Sequence, residues 1–333
     1  MNNLKLAHLK TFTLALMAIG TCSLQNLHAQ IFVASQSGTI GEYNTNGTVI
    51  NANLITGLST SFNAGPSGLA VMATSNGINL FTSDTANGAI YEYTINGNTV
   101  SSQTTFATLA SGNPTSLAVS GSNLYVADDN TGNVLAYNLS GATHNSTTIV
   151  SGLGAFSPRS LALSGSNLYI SNTNSTGTVG EYVPGTGYST ILSSTNDSHI
   201  AFPIGLAVSS NKLFVTNNNN NTVSEYSLSG TNDSIATINN SFSIATPLNN
   251  PIGLAVSGND LLVGNFNTGN VQAFSIPGGG GADNSFTTIS GLSNPEQIAV
   301  LAPVPEPFSL GLLSLGLSGL LILHRNQRRR VNA

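Results

Sequence analysis

The sequence predicts an all-β protein, a six-bladed β-propeller of four-stranded blades, and three observations carry that prediction. One phrase recurs six times: GPSGLAV from Gly65, NPTSLAV from Asn113, SPRSLAL from Ser157, FPIGLAV from Phe202, NPIGLAV from Asn250 and NPEQIAV from Asn294. Its prolines (Pro66, Pro114, Pro158, Pro203, Pro251, Pro295) lie 48, 44, 45, 48 and 44 residues apart. A fixed period in this range marks an array or a propeller. Within each period, short apolar runs alternate with Gly/Asn turns. The repeating region also starts and stops in mid-repeat.

The unit from Asn113 shows the elements most clearly. Leu117-Ala118-Val119 is a short apolar run, and Ser120-Gly121-Ser122 turns the chain. Leu124 to Ala127 is a second run, Asp129 to Gly132 a turn, Val134 to Tyr137 a third run, and Thr147 to Val150 a fourth. Four short strands separated by turn residues make one propeller blade. The uninterrupted apolar run beside the proline fits the innermost strand, which neighbouring blades bury. No segment of the body holds a 3.6-residue period over ten residues, so helix should be nearly absent. A parallel β-helix would repeat at roughly 20 residues or fewer, well short of the observed period.

The ends of the body decide the blade count. Ile31 to Ala34 matches the second run of the Asn113 unit, and Thr39 to Tyr43 matches the third. Pro295 to Val300 supplies only a first strand. The last strand should therefore pair beside the first, complete a sixth blade and leave no open sheet edge.

Two segments should lie outside this fold. In residues 1–29, Lys5, His8 and Lys10 precede an apolar stretch from Phe12 to Ile19, and Leu27-His28-Ala29 offers a small-residue cleavage site before Gln30. That order is a secretory signal peptide. Ile19 to Cys22 loosely matches a lipoprotein box, but Thr21 stands where such boxes carry a smaller residue. Cys22 is the only cysteine, so cleavage after Ala29 would leave a body (residues 30–302) without disulfides, thiolate chemistry or cysteine metal sites.

Residues 303–333 read Pro-Val-Pro-Glu-Pro, then a 16-residue uncharged run from Phe308 to Leu323, then Arg325, Arg328, Arg329 and Arg330. As a helix the run would reach ~24 Å, marginal against the about 20 residues that a membrane span needs. Basic residues remain on the cytoplasmic side. Both ends are basic, so the body between them should face outward.

The net charge of −5 conceals how acidic the body is. Six of the 8 Lys and Arg residues lie in the two terminal segments, leaving Arg159 and Lys212 against 12 of the 13 acids, or 2 − 12 = −10. Two cations cannot neutralise a phosphate backbone, which excludes nucleic acid as a partner. Charged residues are 6% of the chain, against ~25% in ordinary globular proteins. Asn, Ser, Thr and Gly must therefore form the surface.

The C-terminal segment resembles the PEP-CTERM sorting signal of Gram-negative bacteria, through Pro305, Glu306 and Pro307, the Leu/Gly-rich run and the terminal arginines. The resemblance implies recognition of that tripeptide by an exosortase, and delivery to the cell envelope or an exopolysaccharide matrix. The repeats resemble NHL-type repeats and, more broadly, the six-bladed calcium-dependent phosphotriesterase and gluconolactonase superfamily. The shared pattern is Pro-x-x-Leu-Ala-Val, then Leu-Tyr-Val-Ala-Asp, then an Asn-Val-x-x-Tyr strand, over about Ile31 to Leu301. The acidic residue after the second strand survives only as Asp84 and Asp128; the corresponding places elsewhere hold Ser35, Asn172, Asn217 and Gly264.

No catalytic set emerges. HExxH, G-x-S-x-G and phosphate-cradling loops are missing from the sequence. The body's two histidines, His144 and His199, sit in different repeats and polar surroundings. Gly278 to Gly281 lacks the lysine of a P-loop. A quinone-dependent redox enzyme is rejected, because the chain has no tryptophan and two body cations.

The remaining catalytic option is calcium held by Asp84, Asp128, Asn172, Asn217 and Asn265, with Asp129 beside them, all following second strands. Calcium takes six to eight oxygens, and amides are its weaker ligands. Asn and Asp at these places also serve hairpin turns, and that reading is preferred. The five asparagines Asn217 to Asn221 read as a long turn, with a sugar-binding strip as the functional alternative.

The expected protein is a monomeric, exported, non-enzymatic propeller without a cofactor. It would bind polysaccharide or envelope proteins through the loops of one face. The alternative is a calcium-dependent hydrolase or lactonase working at the central channel.

Overall fold

The computed structural model describes residues 29–302, apart from 61–64, 141–143, 155–156, 175–176, 230–233, 240–246 and 278–280. The signal segment, the tail with Pro305, Glu306, Pro307, Arg325, Arg328, Arg329 and Arg330, and most of the Gly278–Gly281 run lie outside the described residues.

Six antiparallel four-stranded sheets form a six-bladed propeller, each ordered inner, second, third and outer strand. The inner strands are Pro295–Leu301 (blade 1), Pro66–Thr74 (blade 2), Pro114–Ser120 (blade 3), Ser160–Ser164 (blade 4), Pro203–Ser209 (blade 5) and Pro251–Ser257 (blade 6). Blade 1 is the composite that the sequence predicts. Its inner strand comes from the end of the body, and its other three, Gln30–Ser35, Thr39–Asn44 and Val49–Ile55, come from the beginning. The two parts pair antiparallel, with Gln30 opposite Leu301 and Ile31 opposite Val300. The only helical turns among the described residues are the 3-10 turns Thr85–Asn87 and Asn218–Asn220.

The core lies between neighbouring blades, because successive side chains of a strand face opposite sides of its sheet. Ile31, Val33 and Tyr43 of blade 1 meet Leu262, Val271 and Phe286 of blade 6. Phe81, Ile90 and Phe106 of blade 2 meet Leu117, Leu124 and Val126 of blade 3. Equivalent clusters join blades 3 and 4, 4 and 5, and 5 and 6. Each fully buried aliphatic or aromatic side chain contributes about 1.5–3 kcal/mol. Stability is thus distributed around the ring and depends on every blade having two neighbours.

Close approach of the inner strands fixes the glycine of the phrase in blade 5. A Cβ on Gly205 would run into the carbonyl oxygen of Ile252 in the next blade.

Candidate functional site at the channel mouth

In five of the six blades the inner strand starts at its repeat proline, opposite the last residue of the second strand. Pro66 faces Asp84, Pro114 faces Asp128, Pro203 faces Asn217, Pro251 faces Asn265 and Pro295 faces Ser35. In these five blades the register then shifts. Such a bulge adds a residue to one strand and re-aims the side chains beside it. In blade 4 the ladder begins at Ser160, and Arg159 donates its backbone N–H to Ser171 O at 2.9 Å. The residues after the prolines, Ser67, Thr115, Arg159, Ile204, Ile252 and Glu296, gather around one cavity at the channel mouth.

Inner strands of adjacent blades do not form a common ladder, so their amide and carbonyl groups need other partners. Hydroxyls near the end of the second strands supply them. Ser171 Oγ accepts from Ser160 N at 3.0 Å and donates to Ile204 O at 2.6 Å in blade 5. Thr216 Oγ1 accepts from Gly205 N at 2.6 Å and faces Ile252 O of blade 6 at 3.5 Å. Ser83 Oγ accepts from Gly68 N at 2.7 Å. Gln297 reaches further: its Oε1 accepts from Leu69 N at 3.1 Å, and its Nε2 donates to Ser116 Oγ at 3.3 Å.

The charged groups of the mouth are partnered within it. Arg159 Nη1 donates to Asp129 Oδ2 at 3.1 Å, and Asn113 Nδ2 donates to Asp129 Oδ1 at 2.6 Å. Burial pushes the Asp129 carboxyl above the usual range, while the Asn113 bond and the Arg159 charge oppose the shift. Glu296 accepts from Gln36 Nε2 at 2.6 Å. Burial likewise raises its pKa, against the pull of that bond and of Arg159. The cavity among these side chains is ≈ 30 Å³. Further along the channel, the Leu-Ala-Val triplets and their equivalents surround a wider space of ≈ 260 Å³.

The five oxygen-bearing residues considered for calcium sit one per blade, and each is engaged by its own blade's loops. Asp84 Oδ2 accepts from Ser59 N at 3.2 Å and Asn87 Nδ2 at 3.0 Å. Asp128 accepts from Asn113 N at 2.8 Å and Thr131 Oγ1 at 2.7 Å. Asn172 Nδ2 donates to Leu153 O at 3.2 Å. Asn217 Oδ1 accepts from Ala201 N at 3.1 Å, and Asn265 Oδ1 from Asn249 N at 3.1 Å. All five are buried, at 0–4% exposure. Each ties the loop that enters its inner strand to the end of its second strand. Among the described residues, no group of three or more His, Cys, Asp or Glu side chains could hold a metal ion. The side-chain oxygens of Asp128, Asn217 and Asn265 and Oδ2 of Asp84 are thus committed to donors of their own blade's loops, while Asp84 Oδ1 is buried without a partner.

Two details differ from the sequence reading. The counterpart of Asp84 in blade 6 is Asn265 and not Gly264, because Asn265 faces Pro251 as Asp84 faces Pro66. His144 is not surrounded by polar groups: its ring stacks on Phe106 at 4.1 Å. His199 does have polar neighbours, with Nδ1 at 2.8 Å from Asp197 Oδ1.

Sequence reasoning missed the mouth residues Gln36, Arg159, Glu296 and Gln297. A signal for part of the set was present. The residue after the repeat proline reads Ser, Thr, Arg, Ile, Ile, Glu, while Leu-Ala-Val around it scarcely changes.

No family model and no curated protein matches the sequence. Solved structures match in fold. A chain of the nidogen/laminin complex gives a TM-score of 0.65 at 15% identity, covering 82% of this chain and 98% of that one. A gluconolactonase from Xanthomonas campestris gives 0.51 at 14% identity, covering 72% and 76%. These likenesses establish the propeller architecture.

Proposed function

We propose that the protein is an exported, non-enzymatic binding propeller of the envelope or exopolysaccharide matrix, sorted by an exosortase through Pro305, Glu306 and Pro307. The signal segment and the tail support the address. The pairing of the charged groups at the channel mouth is the observation that carries the non-enzymatic reading. The mouth cavity is ≈ 30 Å³ and the wider space along the inner strands ≈ 260 Å³, both under the ≈ 300–1,000 Å³ of small-molecule pockets. Arg159, Asp129 and Glu296, the charged groups there, are bonded to one another or to Asn113 and Gln36. Recognition is left to the loops around the mouth, where uncharged amides and hydroxyls dominate.

Calcium titration of the full chain tests this reading against a lactonase working in the channel. The expected result is an unchanged melting temperature and no hydrolysis of sugar lactones. A calcium-dependent rise in melting temperature together with lactone turnover overturns it. For the address, deletion of Val304 to Ala333 should release an otherwise membrane- or matrix-associated protein into the soluble exported fraction. Unchanged association after the deletion refutes the role of the tail.

A further inference from the structure

Phe202 precedes the repeat proline of blade 5 and has φ +57°, in the left-handed region. The equivalent residues of blades 6 and 1, Asn250 and Asn294, have φ +57° and +50°. Asparagine tolerates this conformation, whereas for a bulky side chain it is an outlier. Burial does not explain the exception. Phe202 is 41% exposed, and only Val49 joins it as an exposed large hydrophobic among the described residues. Blade 5 thus places an aromatic ring on the surface in a backbone conformation that disfavours it. Strain of this kind persists where the surroundings enforce it, and it concentrates at ligand sites.

The surroundings do enforce it. Asn218 N donates to Phe202 O at 3.2 Å, and Asn219 N to Ala201 O at 3.4 Å. Just upstream, the buried Asp197 carboxylate accepts from His199 N at 2.9 Å and Tyr226 OH at 2.8 Å. Ile200 N donates to Asp197 O at 3.1 Å. The segment that bonds the Phe202 and Ala201 carbonyls carries exposed amides. Asn219, Asn220, Asn221 and Asn249 are exposed, and Asn221 Oδ1 accepts from Asn250 N at 2.6 Å across the blade boundary.

We propose that Phe202 is a stacking platform for an uncharged pyranose chain, with the asparagines of blades 5 and 6 reading its hydroxyls. This rests on the binding-protein reading above and names its ligand class. The π face of an aromatic ring carries negative charge and attracts the polarised C–H groups on one face of a pyranose. Each amide carries two donor hydrogens and an oxygen with two lone pairs; the oxygens of Asn221 and Asn249 each spend one on Asn250 N and Asn267 Nδ2, which leaves a donor and an acceptor for a pair of vicinal hydroxyls. The nearby titratable pair, His199 with Asp197, is already engaged internally, so nothing among these amides selects for a charged sugar. Holding the loop in place before binding removes part of the ordering cost.

The probe is a panel of immobilised neutral polysaccharides (a glucan, a mannan and a galactan), with alginate as the charged comparison and the full chain as the analyte. At least one neutral polymer should bind, independently of salt. Phe202→Asn restores the residue of blades 6 and 1, so it should keep or raise the melting temperature while weakening binding at least tenfold. The chain has no tryptophan, so Phe202→Trp creates a single fluorescent reporter. It should retain binding, and its emission should shift on addition of the bound polymer. If a neutral polymer binds Phe202→Asn as well as the parent chain, the platform is refuted while the binding-protein reading stands. Absence of parent-chain binding to every neutral polymer, or binding to alginate alone, refutes the ligand class. Hydrolysis of a sugar lactone or of the polymer would refute the underlying reading as well.

Discussion

Ser171 donates its hydroxyl to the carbonyl of Ile204 in the adjoining blade, 2.6 Å away, while accepting the amide of Ser160 at 3.0 Å. One buried oxygen therefore bonds two backbone groups, an amide of its own blade and a carbonyl of the next. Ser171→Ala leaves both unmet. Unsatisfied buried groups cost ≈ 1–3 kcal/mol each, so the variant should lose roughly 2–6 kcal/mol in urea unfolding. Thr216→Ser, which keeps the hydroxyl between Gly205 and blade 6, should stay within about 1 kcal/mol of the parent.

Third strands repeat a second device. Glu92 accepts from Asn79 at 2.5 Å, Glu181 from Asn167 at 2.7 Å, and Glu225 lies 2.8 Å from Lys212. The same slot at the start of the second strand partners the glutamate each time. Lys212→Asn should then be tolerated in blade 5 as asparagine is in blades 2 and 4, changing stability by less than about 1 kcal/mol. Lys212→Ala removes the cation from a carboxylate that is 2% exposed. It should cost about 2–3 kcal/mol, below the full penalty for a buried pair because the lysine is partly in solvent. Chemical denaturation of the two variants separates the cases.

In blade 1 the device is incomplete. Glu42 is fully buried with both carboxyl oxygens unpartnered, and Oε1 of Gln30, in the partner's slot, is also buried without a partner. Burial pushes the Glu42 pKa from 4.5 to about 7. Because the folded value is the higher one, stability is fully present below about pH 4.5 and declines as pH rises to about 7. The decline totals about 3 kcal/mol at most. Glu42→Gln supplies an amide donor on the face that holds Gln30 and carries no charge. It should flatten that decline and raise the melting temperature at pH 7; equal slopes for both proteins would refute the assignment.

Asp128 should behave as a loop tie. Asp128→Ala removes acceptors for Asn113 N and Thr131 Oγ1 and should lose about 1–3 kcal/mol. Asp128→Asn copies blades 4, 5 and 6 and should lose less. Added calcium should leave both melting curves where they are; a calcium shift present in the parent and absent in Asp128→Asn would instead make this residue a ligand.

The ring, its blade count and its composite closure were legible because six copies of one phrase align with one another, and two fragments add up to one unit. The site was less legible for a physical reason. A repeat reveals what every blade shares, whereas the mouth is built from what each blade does differently. Gln36 and Glu296 meet although 260 residues separate them, and only ring closure makes them neighbours. Likewise the left-handed backbone of Phe202 follows from the conformation its position shares with Asn250 and Asn294, not from its own side chain.

The pairing of Gln30 with Leu301 also sets an order of events. As the chain emerges N-terminus first, the second strand of blade 1 appears at the outset and its inner partner last of all. Until then blade 1 has an open edge, and blade 6 has no finished neighbour to cover Leu262 and Val271. A nascent chain halted anywhere before Pro295 would display both an unpaired strand and a bare aliphatic face, the features that invite aggregation and recognition by chaperones. Ring closure thereby ties burial of these surfaces to the arrival of the last strand, so the first strand made acts as a template held in reserve for the seven residues Pro295–Leu301.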